Sequence, residues 1–260
     1  MNVYGLTDRG NIREANEDCI GITCLKNGIT IGVVCDGMGG AAGGKIASEI
    51  AEAVFMEHMV KLMDDEAIAK SGFDSRTIKA AIKESIEKAN SAILERARED
   101  LSLFGMGCTL NAIIYCEPKS KAFYCNVGDS RLYMISKKEI KQLTKDHSYV
   151  QMLVDSKEIT QEEAEHHPKK NLITKALGIK DEIEPDIFDR RLYSKADIYF
   201  LLCSDGLHGL VDKKVLQEVA LSKMSIQEKV FTYIRLANEA GGYDNISVIL
   251  LCTNGSEVDR

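Results

Sequence analysis

The 260-residue sequence lacks several features that would assign a protein to a class. It contains no apolar run long enough to cross a bilayer, and its start, MNVYGLTDRG, has no signal-peptide core. None of the eight cysteines stands in a Cys-x-x-Cys pair, so a zinc site of that kind is not expected. Prolines number only three and no Gly/Ser-rich linker occurs, so we predict a single domain over residues 1–260.

Charge and cysteine placement exclude further functions. The formal net charge of −7 argues against general affinity for nucleic acid or for acidic membranes. Most cysteines lie in apolar runs such as IGVVC and IYFLLC, which is typical of free buried thiols in a reducing compartment. We therefore expect a cytoplasmic globular protein. Nothing in the sequence indicates an oligomer, so we expect a monomer.

Hydrophobic periodicity predicts three long helices. Ile46, Ile50 and Val54 recur at four-residue spacing, and apolar residues keep a three-to-four step through 78–97 and again near 226–237. Each pattern gives one apolar stripe with a solvated back. We expect these stripes to lie in the core.

Short continuous apolar runs predict strands that are buried on both faces. Such runs occur at 30–35, 198–203 and 245–252. A strand that includes Phe123, Cys125 and Val127 is predicted to form a hairpin with 131–135 across the turn Gly-Asp-Ser. Strands that follow one another directly favour a layered fold of helices and largely antiparallel sheets.

Aspartates stand where several predicted strands end, mostly beside glycines. Four follow or precede buried runs and a fifth lies in the early run NED; they are Asp36, Asp129, Asp205, Asp244 and Asp18. Any one Asp-Gly pair could simply turn the chain. If the strand ends gather on one side, however, the carboxylates repel one another unless cations neutralise them. Oxygen ligands without His or Cys select Mg²⁺ or Mn²⁺ over zinc, so the residues indicate a carboxylate metal site without naming a reaction.

Eight motifs follow one another between about Thr7 and Val248: TDRGNIREANED, VVCDGMGG, GCTLNA, NVGDSRLY, QLTKDHSYVQMLV, HPKKNLITKALG, LLCSDGLHGLV and GGYDNISV. Their order resembles the bacterial branch of the PPM-type (type 2C) metal-dependent protein Ser/Thr phosphatases. The resemblance implies an α+β fold, a four-layer α-β-β-α sandwich of two mainly antiparallel sheets flanked by helix pairs. It also implies hydrolysis of phosphoserine and phosphothreonine by direct attack of water activated by two Mn²⁺ or Mg²⁺ ions.

The same resemblance implies roles for particular residues. Asp36 matches the aspartate that bridges the two metals, and Gly37 matches the residue that gives a backbone carbonyl. Asp205 and Asp244 match the remaining carboxylate ligands of that pair.

Three further residues match supporting positions. Asp18 matches an acidic residue that acts mostly through metal-bound water. Asp129, with Asp205, matches the position that holds a weaker third metal. Arg13 matches the arginine that binds the substrate phosphate, which suits the planar, bidentate guanidinium. The implied partners are phosphorylated proteins, among them a cognate Ser/Thr kinase.

Residues 147–178 look like the flap of the family, and we expect them to contact the peptide around the phosphoresidue and to influence substrate choice. We assign no metal role to His166 or His167 there. Some positions depart from the family pattern. Met38 cannot donate a proton to the leaving group, while Ala41, Lys45 and Lys157 replace residues that bacterial relatives usually carry.

Rival interpretations are open at this point. Residues 39–45 satisfy the G-x-x-x-x-G-K pattern of a nucleotide-binding loop, but Ile46 stands where Mg²⁺ needs a hydroxyl. Cys125 and Arg131 fit the Cys-x-x-Gly-x-x-Arg pattern of cysteine-dependent phosphatases, although the predicted strand around them favours a structural thiol. A catalytically inactive family member that serves as a binding module is the third alternative.

Overall fold

The computed structural model describes residues 2–39, 43–65, 73–193 and 197–253. Its strands are β1 Asn2–Asp8, β2 Cys19–Cys24, β3 Ile29–Cys35, β4 Gly37–Met38, β5 Gly107–Cys108, β6 Leu110–Cys116, β7 Lys121–Val127, β8 Arg131–Ile135, β9 Ile140–Gln142, β10 Asp186–Arg191, β11 Tyr199–Cys203 and β12 Ile246–Cys252. Its helices are α1 Gly43–Met63, α2 Ser75–Glu99, α3 Tyr149–Asp155, α4 Gln161–Glu165, α5 Asp205–His208, α6 Lys213–Leu221 and α7 Ile226–Glu239.

The strands form two five-stranded sheets. The first sheet has the order β1-β12-β11-β8-β9 and the second has the order β10-β7-β6-β3-β2, while β4 and β5 form a small pair of their own. All of these pairings are antiparallel. The predicted antiparallel α+β architecture is therefore confirmed.

Three apolar clusters hold the layers together. One cluster, which includes Val34, Phe200 and Ile249, fills the space between the two sheets. A second packs α1 and α2 over the outer face of the second sheet. A third packs α6 and α7 over the first sheet. Because each sheet is covered on both faces, its central strands read as continuous apolar runs, and all seven residues of β3 and of β12 are buried.

The core face of α1 lies one residue away from the predicted stripe. Ala47, Ala51, Phe55 and Met59 are fully buried, whereas residues 46, 50 and 54 are partly buried at the edge of the same cluster. The two alanines let the helix backbone approach the sheet closely, so the larger residues beside them lie on the flanks. The helix itself is confirmed, and its packing face is corrected by one position.

Helix α2 follows its prediction closely. The side chain of Asp74 accepts hydrogen bonds from the backbone N–H groups of Arg76 and Thr77 and so caps the helix start. Its isoleucine stripe, with Ile82 and Ile86, is fully buried. Among the described residues, no helix combines the length and apolar character that crossing a membrane requires.

The predicted hairpin between the strand of Phe123, Cys125 and Val127 and residues 131–135 is wrong. β7 pairs with β6 and β10 in the second sheet, whereas β8 pairs with β11 and β9 in the first. The chain crosses between the sheets at residues 128–130, and Gly128 (φ +107°) adopts a backbone conformation that favours glycine. This crossing places Asp129 at one end of the sandwich, between the two sheets.

Candidate metal centre

The predicted site residues lie at one end of the sandwich, in loops, in the short strand β4 and at the start of α5. The register brings together the start of β2 with the end of β3, and the start of β12 with the end of β1. The end of β11 likewise lies beside the start of β8. Predicted site residues lie within two positions of five of these six strand ends, the end of β1 being the exception, which explains the grouping; the residues are Asp18, Asp36, Gly37, Asp129, Asp205 and Asp244.

Asp36 lies between β3 and β4, and its backbone is fixed on both sides by Thr109. The Asp36 N–H donates to the Thr109 Oγ1 at 2.9 Å, and the Thr109 N–H donates to the Asp36 carbonyl at 2.8 Å. The next residue, Gly37, leaves no room for a side chain, because a Cβ there would lie 2.2 Å from the carbonyl oxygen of Gly44. Helix α1 therefore starts directly against this turn.

The carboxylates repel one another in a buried setting. Burial raises the pKa of Asp18 to about 7, with a further contribution from Asp205 and Asp244. Burial also raises the pKa of Asp205 to about 6, again helped by the charge of Asp244. The pKa of Asp36 is raised well above its usual range by burial and then by the charges of its neighbouring aspartates.

Asp129 lies close to the same cluster. Burial and the charge of Asp205 raise its pKa to about 8. His208 Nε2 lies 3.1 Å from the Asp129 carbonyl oxygen, and burial keeps the pKa of this histidine well below its usual value. The neutral ring therefore donates this hydrogen bond and holds the backbone of Asp129.

Arg13 is a cation that lies beside these carboxylates. It lies in the loop between β1 and β2, and its Nη2 is 2.8 Å from Asp244 Oδ2. Nearly half of the Arg13 side chain is exposed, at 48%. A phosphate bound beside the carboxylates could therefore be reached by this guanidinium.

Glu17 is a site residue that the sequence reasoning missed. Its Oε1 is buried and has no hydrogen-bond partner in the described part of the chain. Burial raises the pKa of Glu17, although the charge of Arg13 lowers it. The signal was present in the sequence, because Glu17 precedes Asp18 in the run NED, but only the fold shows that this carboxylate turns inward.

This donor set fits a hard divalent cation. No group of three or more His, Cys, Asp and Glu in the described ranges already has the arrangement of a metal cage. The carboxylates are nevertheless close enough to raise one another's pKa, and one buried carboxylate oxygen, Glu17 Oε1, has no hydrogen-bond partner among the described residues. A cluster with oxygen donors and unbalanced negative charge suits Mg²⁺ or Mn²⁺.

A cavity of about 460 Å³ extends from Asp129, Asp205 and Asp244 to the predicted flap. Within the flap, Thr160 and Glu163 form a capping box that starts α4. The flap begins at His147, whose Nδ1 accepts a hydrogen bond from the Gly128 N–H at 3.1 Å. Its start is therefore tied to the loop that carries Asp129.

The departures from the family pattern have different structural consequences. Lys157 has a φ of +63°, a left-handed conformation that costs a lysine roughly 1 kcal/mol relative to glycine. Lys45 lies on the exposed face of α1, with its Nζ 3.8 Å from Glu49. Ala41 falls outside the described residues, as does the middle of the glycine-rich pattern at 39–45.

The sequence is similar to that of known protein phosphatases. A family model described as Protein phosphatase 2C matches residues 12–241. The chain is 38% identical over 255 residues to "Serine/threonine phosphatase stp" of Listeria welshimeri, covering 98% of this chain and 96% of that protein.

Solved structures show the same similarity. A crystal structure described as a bacterial serine phosphatase superposes with a TM-score of 0.87 at 31% identity, covering 99% of this chain and 100% of that chain. The catalytic domain of the serine/threonine protein phosphatase PstP, solved in complex with two manganese ions, superposes with a TM-score of 0.79 at 32% identity, covering 96% of each chain.

Proposed function

The chain belongs to the protein phosphatase 2C family, and we propose that it hydrolyses phosphoserine and phosphothreonine in proteins with the aid of Mn²⁺ or Mg²⁺. The observation that carries this function is the group of buried, mutually repelling aspartates beside Arg13. Such a group favours divalent cations on one side and an anionic phosphate on the other.

The proposed ligands of the two cations are those that the resemblance to the phosphatase family implies. Asp36 would bridge the ions, with the carbonyl of Gly37 and the carboxylates of Asp205 and Asp244 completing the protein ligands. Asp18 would act through water, and its orientation is set by the Ser204 hydroxyl, which donates to Asp18 Oδ2 at 2.8 Å. When bound, two such cations lower the pKa of a shared water and neutralise charge on phosphoryl oxygens.

Phosphate binding and protonation of the leaving group depend on the chain's own residues and on solvent. Arg13 would bind the phosphoryl oxygens through two parallel N–H groups and so fix the phosphorus in front of the carboxylates. The reaction breaks the bond between phosphorus and the seryl or threonyl oxygen, and a water supplies the new P–O bond. Met38 has no proton to give, so solvent must protonate the leaving alcohol.

The proposal extends to a third cation, the cellular location, the oligomeric state and the substrates. Asp129, with Asp205, would hold a weaker third cation, a role supported by its burial and by the firm attachment of its backbone to His208. All eight cysteines have free thiols, which supports a reducing, cytoplasmic location. We also propose that the protein acts as a monomer, and that its substrates include a Ser/Thr kinase and the targets of that kinase.

The test is phosphate release from a phosphothreonine peptide, with Mn²⁺ and then with excess EDTA. We expect turnover with Mn²⁺, loss of turnover with EDTA and recovery when Mn²⁺ is restored. Turnover that ignores EDTA would contradict the metal-dependent mechanism. Binding of phosphoproteins without turnover under any metal would instead support an inactive binding module.

A further inference from the structure

Asn245 attaches the Arg13 loop to the rest of the centre. Its side chain makes three hydrogen bonds, all to the backbone of residues 9–17. Its Oδ1 accepts from the Glu17 N–H at 2.8 Å, and its Nδ2 donates to the carbonyl oxygens of Arg9 at 2.8 Å and Ala15 at 2.9 Å. Only 3% of Asn245 is exposed, so water cannot readily replace these bonds.

The three bonds lie on both sides of Arg13 in the sequence. The first part of the loop is held in addition by Gly242, whose carbonyl accepts from the Asn11 N–H at 2.8 Å. Gly10 lies so close to the same segment that a Cβ would come 2.2 Å from the Asp244 carbonyl oxygen. The loop is thus fastened before and after Arg13.

Arg13 depends on this attachment because its own side chain is weakly held. Nearly half of the side chain is exposed, and its one hydrogen bond to a described residue goes to Asp244. The position of a long, exposed side chain is therefore restricted mainly by the backbone to which it is attached. Asn245 follows Asp244 directly, so one short segment carries both the carboxylate partner of Arg13 and the amide that holds its loop.

We infer that Asn245 is a positioning residue for phosphate binding, which it supports through the loop that carries Arg13. The inference rests on the proposed function, because it assumes that Arg13 binds the substrate phosphate. Asn245 itself touches neither phosphate nor metal in this mechanism. Its amide fixes the backbone from which the Arg13 side chain extends. Through the hydrogen bond from the Glu17 N–H, it also fixes the backbone of Glu17, whose carboxylate is partly buried.

The experiment is a double-mutant cycle of Asn245→Ala and Arg13→Ala. For each variant, the Ki of inorganic phosphate is measured as a competitive inhibitor of phosphopeptide hydrolysis in the presence of Mn²⁺. Asn245→Ala should raise the Ki for phosphate roughly 10- to 100-fold, since displacement of about 1 Å in a positioned group has effects of this size. In an Arg13→Ala background the same substitution should change the Ki less than about twofold, because the loop then has no guanidinium to position.

Asn27→Ala is the matched control. The side chain of Asn27 also donates to a backbone carbonyl, that of Met63 at 2.9 Å, and accepts from a backbone N–H, that of Ile29. It lies in the turn between β2 and β3, at the opposite end of the sandwich. This control should leave the Ki unchanged, whatever its effect on melting temperature.

Amide hydrogen exchange supplies a readout without turnover. Asn245→Ala should speed exchange of the Glu17 N–H, and Asn27→Ala should not. If Asn245→Ala yields too little folded protein, Asn245→Asp keeps the volume and the acceptor for Glu17. It removes both donors and places a carboxylate against the carbonyls of Arg9 and Ala15, so its Ki should rise as well.

The outcomes separate the two hypotheses. Equal effects of the Asn245 substitution with and without Arg13, or an unchanged Ki, would overturn the positioning role while leaving the phosphatase function intact. A wild-type protein that releases no phosphate with Mn²⁺ would overturn the proposed function, and the inference with it.

Discussion

Replacing Asp18 with asparagine should stabilise the protein when metal is removed at neutral pH. Asp18 is only 8% exposed, and burial together with the charges of Asp205 and Asp244 raises its pKa to about 7. Asparagine keeps an oxygen that can accept the hydrogen bond from Ser204, but it carries no charge. The substitution therefore removes repulsion without removing this contact.

The size of the effect follows from the pKa difference. The pKa of Asp18 is 3.8 in the unfolded chain and about 7 in the folded chain. At pH 8 this difference lowers the free energy of unfolding by about 4 kcal/mol, since each pKa unit corresponds to about 1.4 kcal/mol. This is an upper value, because neighbouring carboxylates with raised pKa values are partly protonated in the folded wild type and therefore repel Asp18 less than full charges would. Near pH 3 the group is protonated in the folded and unfolded chains alike. As the pH rises from about 4 to about 7 the unfolded chain ionises at residue 18 before the folded chain does, so the free energy of unfolding falls more steeply for the wild type than for the variant, which keeps only the contributions of Asp36, Asp129 and Asp205.

The assay is urea denaturation in EDTA, followed by far-UV circular dichroism at several pH values. The variant should gain stability over the wild type progressively between pH 4 and pH 7, and saturating Mn²⁺ should reduce that gain by neutralising the wild-type carboxylates. A variant less stable than the wild type at pH 8 in EDTA, or an advantage that does not change with pH, would refute the reasoning.

Asp189→Asn provides a control of opposite sign. Hydrogen bonds from Lys121 and Lys79 lower the pKa of Asp189 to about 2. Its ionised form therefore stabilises the fold above about pH 4, and this contribution is lost as the pH falls towards 2. Asp189→Asn should accordingly destabilise the protein at neutral pH.

Other substitutions test the proposed roles directly. Asp36→Asn should abolish Mn²⁺-dependent turnover by removing the proposed bridging ligand, and a fully active variant would end the two-metal mechanism. Arg13→Ala should raise KM for a phosphopeptide by at least tenfold, and unchanged KM and kcat would remove its assigned role. Cys125→Ser should retain turnover, because burial raises the pKa of this thiol to about 12 and leaves little thiolate; its inactivation would revive the cysteine mechanism.

Much of the architecture could be predicted because burial leaves a local pattern. The apolar runs of β3 and β12 are continuous because both faces of these strands are covered, and the stripe of α2 is visible because its other face is solvated. The grouping of the aspartates was also predictable, since Asp36 and Asp205 follow buried strands within two residues. Their ligand roles stay predictions.

The errors arose where long-range packing decides. Gly128-Asp129-Ser130 has the composition of a hairpin turn, yet both neighbouring strands find better partners in different sheets. The core face of α1 depended on how closely its alanines approach the sheet, which spacing alone does not specify. Asn245 was missed because its side chain bonds to backbone groups more than two hundred positions away in the sequence. Glu17 was missed because only the fold shows that its Oε1 is buried without a hydrogen-bond partner among the described residues.

The pairing of the first strand, β1, with the last, β12, also bears on synthesis in the cell. Groups of the centre come from opposite ends of the chain, Arg13 and Asp18 from one end and Asp244 and Asn245 from the other. A nascent chain that has emerged only as far as Asp205 has neither the partner of Arg13 nor the amide that holds its loop. With the proposed roles, a chain that ends before residue 245 lacks the complete centre, and such a chain should release no phosphate from phosphoproteins.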